Sequence, residues 1–543
     1  MFISSPRGLT TDRIADGVAV SVLVAVSIIA ALTFRDYGLG WDDYTHAQYG
    51  DLLLKLYSSG FTDRRALSFV NLYAYGGGFD MVSALVAKIS GFDLFETRRL
   101  VGAIVGIGGL LVTWRLGRRI GGPVAGLLAL VLLAACPLYY GHMFMNPKDA
   151  PFAAAMAVLL LGGVRIFQDY PAPSPSAGVL FGIGLGLAIG TRVLGGLTLF
   201  AFLAAFLLLI VDDILTSNAR HAIRRASQFV FALIPALIIA YAVMAVIWPW
   251  SVVSPLNPLR AVAYFSHFFE KPWKEMFDGT LLSVPDMPRS YVPQLFVLEM
   301  PEILLALGLG GIAGAFVAAT RREIPIQQRA PLIFLATAVI VPIALTVVLK
   351  PAMYNGIRHF VFVTPPLAAL GGFAGAWIIE RVGRRGPALA GLAAAAIAAC
   401  FILPIKDMVR LHPYQYTYFN WLAGGVQAND DRYMLDYWGL AFKQAGQELR
   451  AKLTEGLEVP TAHRRWRIAV CGPQRPAAVE LGPEFVTTWD AKGADFAMML
   501  GEFYCAQLKA PILVEIEREG VVYARVYDIR GRTISSLLTI PPP

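Results

Sequence analysis

The sequence predicts a polytopic α-helical membrane protein that carries a C-terminal exported α/β domain. Three observations predict it. Of 543 residues, 56% are hydrophobic and only 15% are charged, against about 25% charged in an ordinary soluble domain. The 51 glycines and 34 prolines fall largely inside apolar runs, which transmembrane helices tolerate and soluble helices avoid. Finally, the basic residues gather in short segments between apolar runs, so the net charge of +8 reads as membrane orientation and not as nucleic-acid binding.

A bilayer crossing takes roughly 20 apolar residues, and by that measure the chain has about 11 spans. They lie near 16–33, 98–114, 121–140, 151–167, 177–190, 194–211, 229–249, 299–319, 330–349, 357–379 and 387–404. The first run is too long for a cleavable signal core and is expected to stay as an uncleaved helix. The pair 177–190 and 194–211 is short, and fusing it would invert everything that follows. Counting it as two puts the Arg-rich segments 115–122, 220–225, 321–329 and 380–386 on one side with the N-terminus. The positive-inside rule makes that side the cytoplasm. Segments 34–97, 141–150, 250–298, 350–356 and the tail after about 405 are then exported.

The domain division follows: a membrane module over 1–404 and an exported domain over 405–543, long enough to fold on its own. In the tail, 438–453 predicts a helix. RRWRIAVCG, EFVTTWD, ADFAMMLGEFY and VEIEREGVVYARVYDI predict strands separated by turns. Cys136 and Cys400 fall in spans, while Cys471 and Cys505 fall in the tail, where the compartment permits a disulfide between them.

Chemistry-bearing residues collect at the exported edges. In GWDDYTHAQYG, Asp42 and Asp43 follow the first span; carboxylates there suit a general base or a hydroxyl or metal ligand, although a helix cap explains them too. YYGHMFMNPKDAP places His142, Asn146, Lys148 and Asp149 at the mouth of the bundle, where ionisable groups mark sites. Capping is the structural alternative for Asp149, since Pro151 suits a first helical turn. Arg192 in AIGTRVLGG, Arg358 and His359 in YNGIRHFVFV, and Lys350 and Arg289 run against the orientation bias. Arginine forks match phosphate. Cations beside carboxylates suit an anionic lipid-linked substrate. GxGxxG, Walker and HExxH motifs are absent from the sequence, which leaves a nucleotide-driven mechanism without support.

These motifs, in this order and on this predicted side, resemble the GT-C class of polytopic glycosyltransferases. Within it the chain is similar to the group containing the dolichyl-phosphate-mannose protein mannosyltransferases and the lipid A aminoarabinose transferases. The resemblance covers about 15–445 and rests further on GTLLSVPDMPRSYVPQLF, the YNGIRHFVFVTPP block, and HPYQYTYFNWLAGG running into MLDYWG. It implies an acidic pair after the first span, here Asp42 and Asp43 with Asp in place of the usual Glu. It implies a second acidic position at Asp149 and a lipid-phosphate contact at Arg192. Tyr414, Tyr418 and Asn420 are expected to seat the tail on the catalytic face.

The implied activity is sugar transfer, with inversion, from a polyprenyl-phosphate donor to a hydroxyl of a protein, lipid or glycan acceptor. It would take place on the periplasmic face of a bacterial inner membrane. Asp42 is expected to be the base, with Asp149 its rival. Arg192 and Arg358, then Lys148 and His359, would meet the phosphate. No cofactor is required, and a divalent metal is compatible with the site. Segments of 250–298 are expected to cover the lipid groove. A lipid-linked saccharide transporter and a nonenzymatic scaffold are the competing functions; a transporter should show paired repeats with broken helices.

Overall fold

Lipid offers backbone amides no solvent partner, so apolar runs in a membrane close their hydrogen bonds within helices. In the structure, a computed structural model that describes residues 9–266, 273–456, 458 and 464–538, nine helices are long and apolar enough to cross a membrane. One of the nine, Leu94–Ala134, is two legs. At Gly122 the backbone takes φ 81° and ψ −176°, and residues of the second leg return against the first: Gly126 faces Trp114 and Arg118, and Gly117 faces Ala129. The apolar helix Pro175–Thr191 is shorter than the nine. The expected pair at 177–190 and 194–211 is thus two helices, parted by the extended backbone of Arg192. Outward-facing residues of the spans are themselves apolar, such as Ile28, Leu32, Leu207, Ile238 and Leu392, as lipid contact demands.

Two expectations shift. The Arg-rich stretch 220–225 is not a loop but the start of the helix Ala219–Ala232, where Arg225 pairs with Asp213 at 3.0 Å. The last long apolar helix runs to Arg410, past the expected end at 404. Residues 1–8 of the N-terminal segment and 267–272 of the expected covering loop lie outside the described residues.

The two ends of the bundle differ in chemistry. At one end, Arg118 pairs with Asp16 near the start of Leu9–Thr33, and Arg119 donates to Gln168 at 2.5 Å. At the opposite end of that first helix, about 37 Å away at 1.5 Å per residue, the chain enters the segment holding Asp42 and Asp43. The long segment after the first span folds as helices Asp43–Ser58 and Gly78–Ser90. In 250–298, the strands β1 (Lys274–Phe277) and β2 (Thr280–Ser283) form an antiparallel hairpin. Its turn is Asp278-Gly279, both at positive φ, a dipeptide that favours such hairpins.

The tail builds a five-stranded sheet from β3 (Trp466–Cys471), β4 (Phe485–Thr488), β5 (Phe496–Leu500), β6 (Ile512–Arg518) and β7 (Val521–Asp528), in the order β4-β3-β5-β7-β6. Strand β3 runs parallel to β4 and β5, and β7 is antiparallel to β5 and β6. The helix Phe442–Glu455 covers it together with Gln474–Leu481. Cys471 and Cys505 are disulfide-bonded, with Cα atoms 5.7 Å apart.

Gly122 adopts a backbone region open essentially to glycine alone, and a Cβ there meets no neighbour. The cost of a side chain is therefore purely conformational. Gly122→Ala is expected to destabilise the protein by about 1–3 kcal/mol, seen as a lower melting temperature of the purified protein, without loss of membrane insertion.

Candidate active site

The site is assembled where four helix ends and two loops meet. Chain reversal after His142 ends one helix at Met145 and starts another at Asp149. Asn146 organises the turn: its side-chain oxygen accepts the backbone N–H groups of Lys148 at 2.9 Å and Asp149 at 2.7 Å. Its amide nitrogen donates to the Asp149 carboxylate at 2.6 Å and lies 3.1 Å from His142. His142 in turn meets the Tyr437 hydroxyl at 3.1 Å.

Asp149, 1% exposed, is the hub. Arg192 pairs with one carboxylate oxygen, and Arg358 approaches the other at 3.3 Å. Both guanidiniums rest on rings: Arg192 over Tyr75, and Arg358 between Tyr354 and Trp438. Lys148, also over Tyr75, reaches the other way to bond Asp42 at 3.0 Å. Asp42, Lys148, Asp149, Asn146, His142, Arg192 and Arg358 are thereby one connected cluster. His359 lies against Tyr354, and its Nδ1 is buried with no hydrogen-bond partner.

Asp42 differs from Asp149 in access. It is ringed by protein groups, yet its side chain keeps 39% of its surface. Burial pushes its carboxyl up, but the charges of Lys148, His46 and Arg358 outweigh that and hold it well below the usual carboxylate range. Asp42 is an anion at neutral pH.

Adjacency sends Asp43 elsewhere. It is 1% exposed and grips Arg99 through both oxygens, at 3.0 and 2.9 Å, while accepting the Gly40 N–H at 2.8 Å. A second buried group lies behind it, with Asp80 between Arg98 and His46, each at 2.7 Å. Arg98, Arg99, Asp80 and His46 were not singled out in the sequence. The two arginines sit at a helix edge on the Asp42 side of the bundle, the same signal that marked Arg192. Gly40 is required by packing: a Cβ would overlap the indole of Trp438.

Tyr414, Tyr418 and Asn420 lie outside the charged cluster. Tyr414 stacks on Tyr523 of β7 with centroids 4.8 Å apart and donates to Gln444. Asn420 donates to the carbonyls of Val297 and Met300, and Tyr418 is buried. Arg289 donates to the Val348 carbonyl at the end of a helix, and Lys350 is exposed in a left-handed conformation. Among the described residues, no three of His, Cys, Asp and Glu are grouped as a metal would need. The cluster's positive charge comes from Lys148, Arg192 and Arg358.

The turn that delivers Arg358 is held by Glu275 of β1. Its carboxyl takes the Tyr291 hydroxyl at 2.7 Å and the Asn355 N–H at 2.8 Å. Burial pushes Glu275 up to about 7, against the lowering effect of those bonds. Its folded pKa thus exceeds the ordinary value of 4.5. As pH rises from 4.5 toward 7, the unfolded chain gives up this proton first, so stability falls across that window. Glu275→Gln is expected to flatten the fall in melting temperature between pH 5 and 7.5. Asp43→Ala leaves Arg99 buried without its carboxylate and is expected to cost about 3–5 kcal/mol, whereas Asp42→Asn, at a more open position that keeps a polar partner for Lys148, should lower the melting temperature less.

Residues 78–250 match the family described as dolichyl-phosphate-mannose-protein mannosyltransferase. The matched segment holds His142, Asn146, Lys148, Asp149 and Arg192; Asp42 and Arg358 lie outside it. No curated protein matches the chain. Among solved structures, the Archaeoglobus fulgidus oligosaccharyltransferase in its apo form aligns with a TM-score of 0.50 at 14% identity, over 88% of this chain and 65% of its own. ArnT from Cupriavidus metallidurans aligns in its apo state with a TM-score of 0.49 at 14% identity. Its complex with undecaprenyl phosphate gives 0.49 at 16%, both over 94% of this chain and 97% of theirs. The chain thus has helices long and apolar enough to span a membrane, resembles that oligosaccharyltransferase in fold, and matches the mannosyltransferase family model over residues 78–250.

Proposed function

We propose that the protein transfers a sugar from a polyprenyl-phosphate donor to an acceptor hydroxyl at the face of the membrane that carries Asp42. The observation that supports this most is one accessible carboxylate, Asp42, bonded to a lysine one residue from a carboxylate that holds two arginines. A base thus stands beside a concentration of positive charge. The Arg-rich segments at the opposite end of the bundle favour a cytoplasmic N-terminus. The transfer face would then be exported, which in a bacterial inner membrane is the periplasmic face.

In the proposed reaction the acceptor oxygen attacks the anomeric carbon as the bond to the phosphate oxygen breaks. The acceptor proton passes to Asp42, and the electron pair of the broken bond leaves on the polyprenyl phosphate. Lys148, Arg192 and Arg358 stabilise that growing charge, and they are fixed before the substrate arrives. A single attack of this kind inverts the anomeric centre. Asp149, saturated by two arginines and Asn146, positions cations and is not the base. A donor phosphate engaging Lys148 withdraws charge from Asp42 and raises its basicity toward the working range. Arginines and lysine fill the role of a divalent ion, so the reaction is expected to survive chelation. Asp43, locked on Arg99, fixes the loop that presents Asp42.

The test is transfer of radiolabelled sugar from a panel of polyprenyl-phosphate donors in membranes holding wild-type or variant protein. Asp42→Asn is expected to lower kcat by about 10²–10⁴-fold at unchanged protein level, with little change in donor KM. Arg358→Ala should raise donor KM as well. Because Asp42 is already ionised, wild-type activity should hold down to about pH 5, near and above the ordinary carboxylate range. An absence of transfer from every donor by folded protein would favour transport or scaffolding.

A further inference from the structure

A cleft of about 430 Å³ opens outside the charged cluster, where the tail sheet meets the β1–β2 hairpin and the segment 430–433. Its size falls within that of small-ligand sites. Asp430, Asp431 and Glu502 line it together with the rings of Tyr433 and Phe503 and the guanidinium of Arg525. The wall that carries Glu502 and Phe503 is tied down by the Cys471–Cys505 bond, since Cys505 also lines the cleft.

The charge here is the reverse of that around Asp149. Three carboxyl groups face one guanidinium, and Arg525 already pairs with Glu515 at 2.6 Å. Burial and the neighbouring Asp436 and Asp430 push Glu502 up to about 8, and burial with Asp431 raises Asp430. Such a lining repels phosphate and welcomes hydrogen-bond donors. The carboxyl groups are not grouped as metal ligands among the described residues. Rings beside carboxyl groups suit a pyranose, which offers an apolar C–H face and a rim of hydroxyls.

The cleft is wired to the charged cluster through one short stretch of chain. Asp430 and Tyr433 line it, Leu435 N–H bonds Glu502 at 3.1 Å, Tyr437 meets His142, and Trp438 underlies Arg358. The eight steps from 430 to 438 span at most about 28 Å when extended, within the length of a few linked sugars.

We propose that this cleft is a saccharide-binding subsite that holds a glycan portion of the acceptor, separate from the donor's phosphate site. The word acceptor rests on the transferase reading; the binding of sugar does not.

Saturation-transfer NMR on the full chain in nanodiscs free of sugar detergents tests it, with maltotriose, chitotriose and the glucosamine trimer as probes. At least one trisaccharide is expected to bind saturably, with a dissociation constant of about 0.1–10 mM. The double substitution Asp430→Ala/Asp431→Ala, at two exposed positions, and separately Phe503→Ala, should each weaken binding at least about tenfold. Inorganic phosphate should not compete, and Asp42→Asn should still bind the sugar while losing transfer. In the transfer assay the cleft variants should raise acceptor KM and leave donor KM alone. No saturable binding by any of the three probes overturns the proposal. So does binding that both cleft variants leave intact, or that phosphate displaces. Trisaccharide binding that depends on the cleft, in a protein that transfers from no donor, upholds the subsite and sinks the transferase reading instead.

Discussion

The carboxylate of Asp149, buried between Arg192, Arg358 and Asn146, is the constraint on which the rest depends. A charge in that position is tolerable only when paired and hydrogen-bonded. Its partners arrive from a break between two apolar helices, from the turn before a third, and from its own helix start. Those elements can converge only if the spans between them stack as they do. Leu94–Ala134 packs on Thr364–Gly383, and Asp149–Gln168 packs on Pro175–Thr191. Packing brings the charges together, and the charges make any other register of the helix ends expensive.

The tail is joined to this centre by a second buried carboxylate. Asp436 accepts the N–H groups of Gly439, Leu440 and Ala441 at 2.8–3.1 Å and the Tyr416 hydroxyl. That fixes the turn carrying Tyr437 and Trp438 over the cluster. The same turn presses onto the loop of Gly38 and Gly40, where Trp41 N–H bonds the Trp438 carbonyl at 3.2 Å. Asp42 is therefore placed from two sides, by Asp43–Arg99 beneath it and by the Trp438 turn beside it. The sheet anchors the turn through Tyr523, which stacks on Tyr414 and meets Thr417 at 2.8 Å.

Two regions of opposite charge thus share one face. Around Asp149 three cations, Lys148, Arg192 and Arg358, meet two carboxylates, Asp42 and Asp149. Around Glu502 the lining is rich in carboxyl groups, with Asp430 and Asp431 beside it. An enzyme joining an anionic lipid-linked donor to a hydroxyl-bearing acceptor gains from such separation, because each region rejects the other's ligand.

The sequence by itself determined the apolar spans, their order, the strands of the tail and the short list of polar residues at helix edges. Those signals are local: apolar run length, arginine placement and alternation of side chains all act over twenty residues or fewer. Position at a helix edge also marks Asp42, Lys148, Asp149, Arg192 and Arg358 in the sequence. The hairpin at Asp278-Gly279 was not among the expected elements, because its strands are only four residues each.

Only the tertiary structure decided which charge meets which. Asp42 and Asp43 are neighbours of the same type, yet one faces Lys148, 106 positions away, and the other Arg99, 56 positions away. Arg358 finds Asp149 across 209 positions. Asp80 and His46 gave no distinct pattern, because a charge on a helix edge looks the same whether it meets solvent, lipid headgroups or a buried partner. Partner choice over such separations follows from how the helices stack, and stacking is set by the shape of whole helix surfaces, not by any local run of residues.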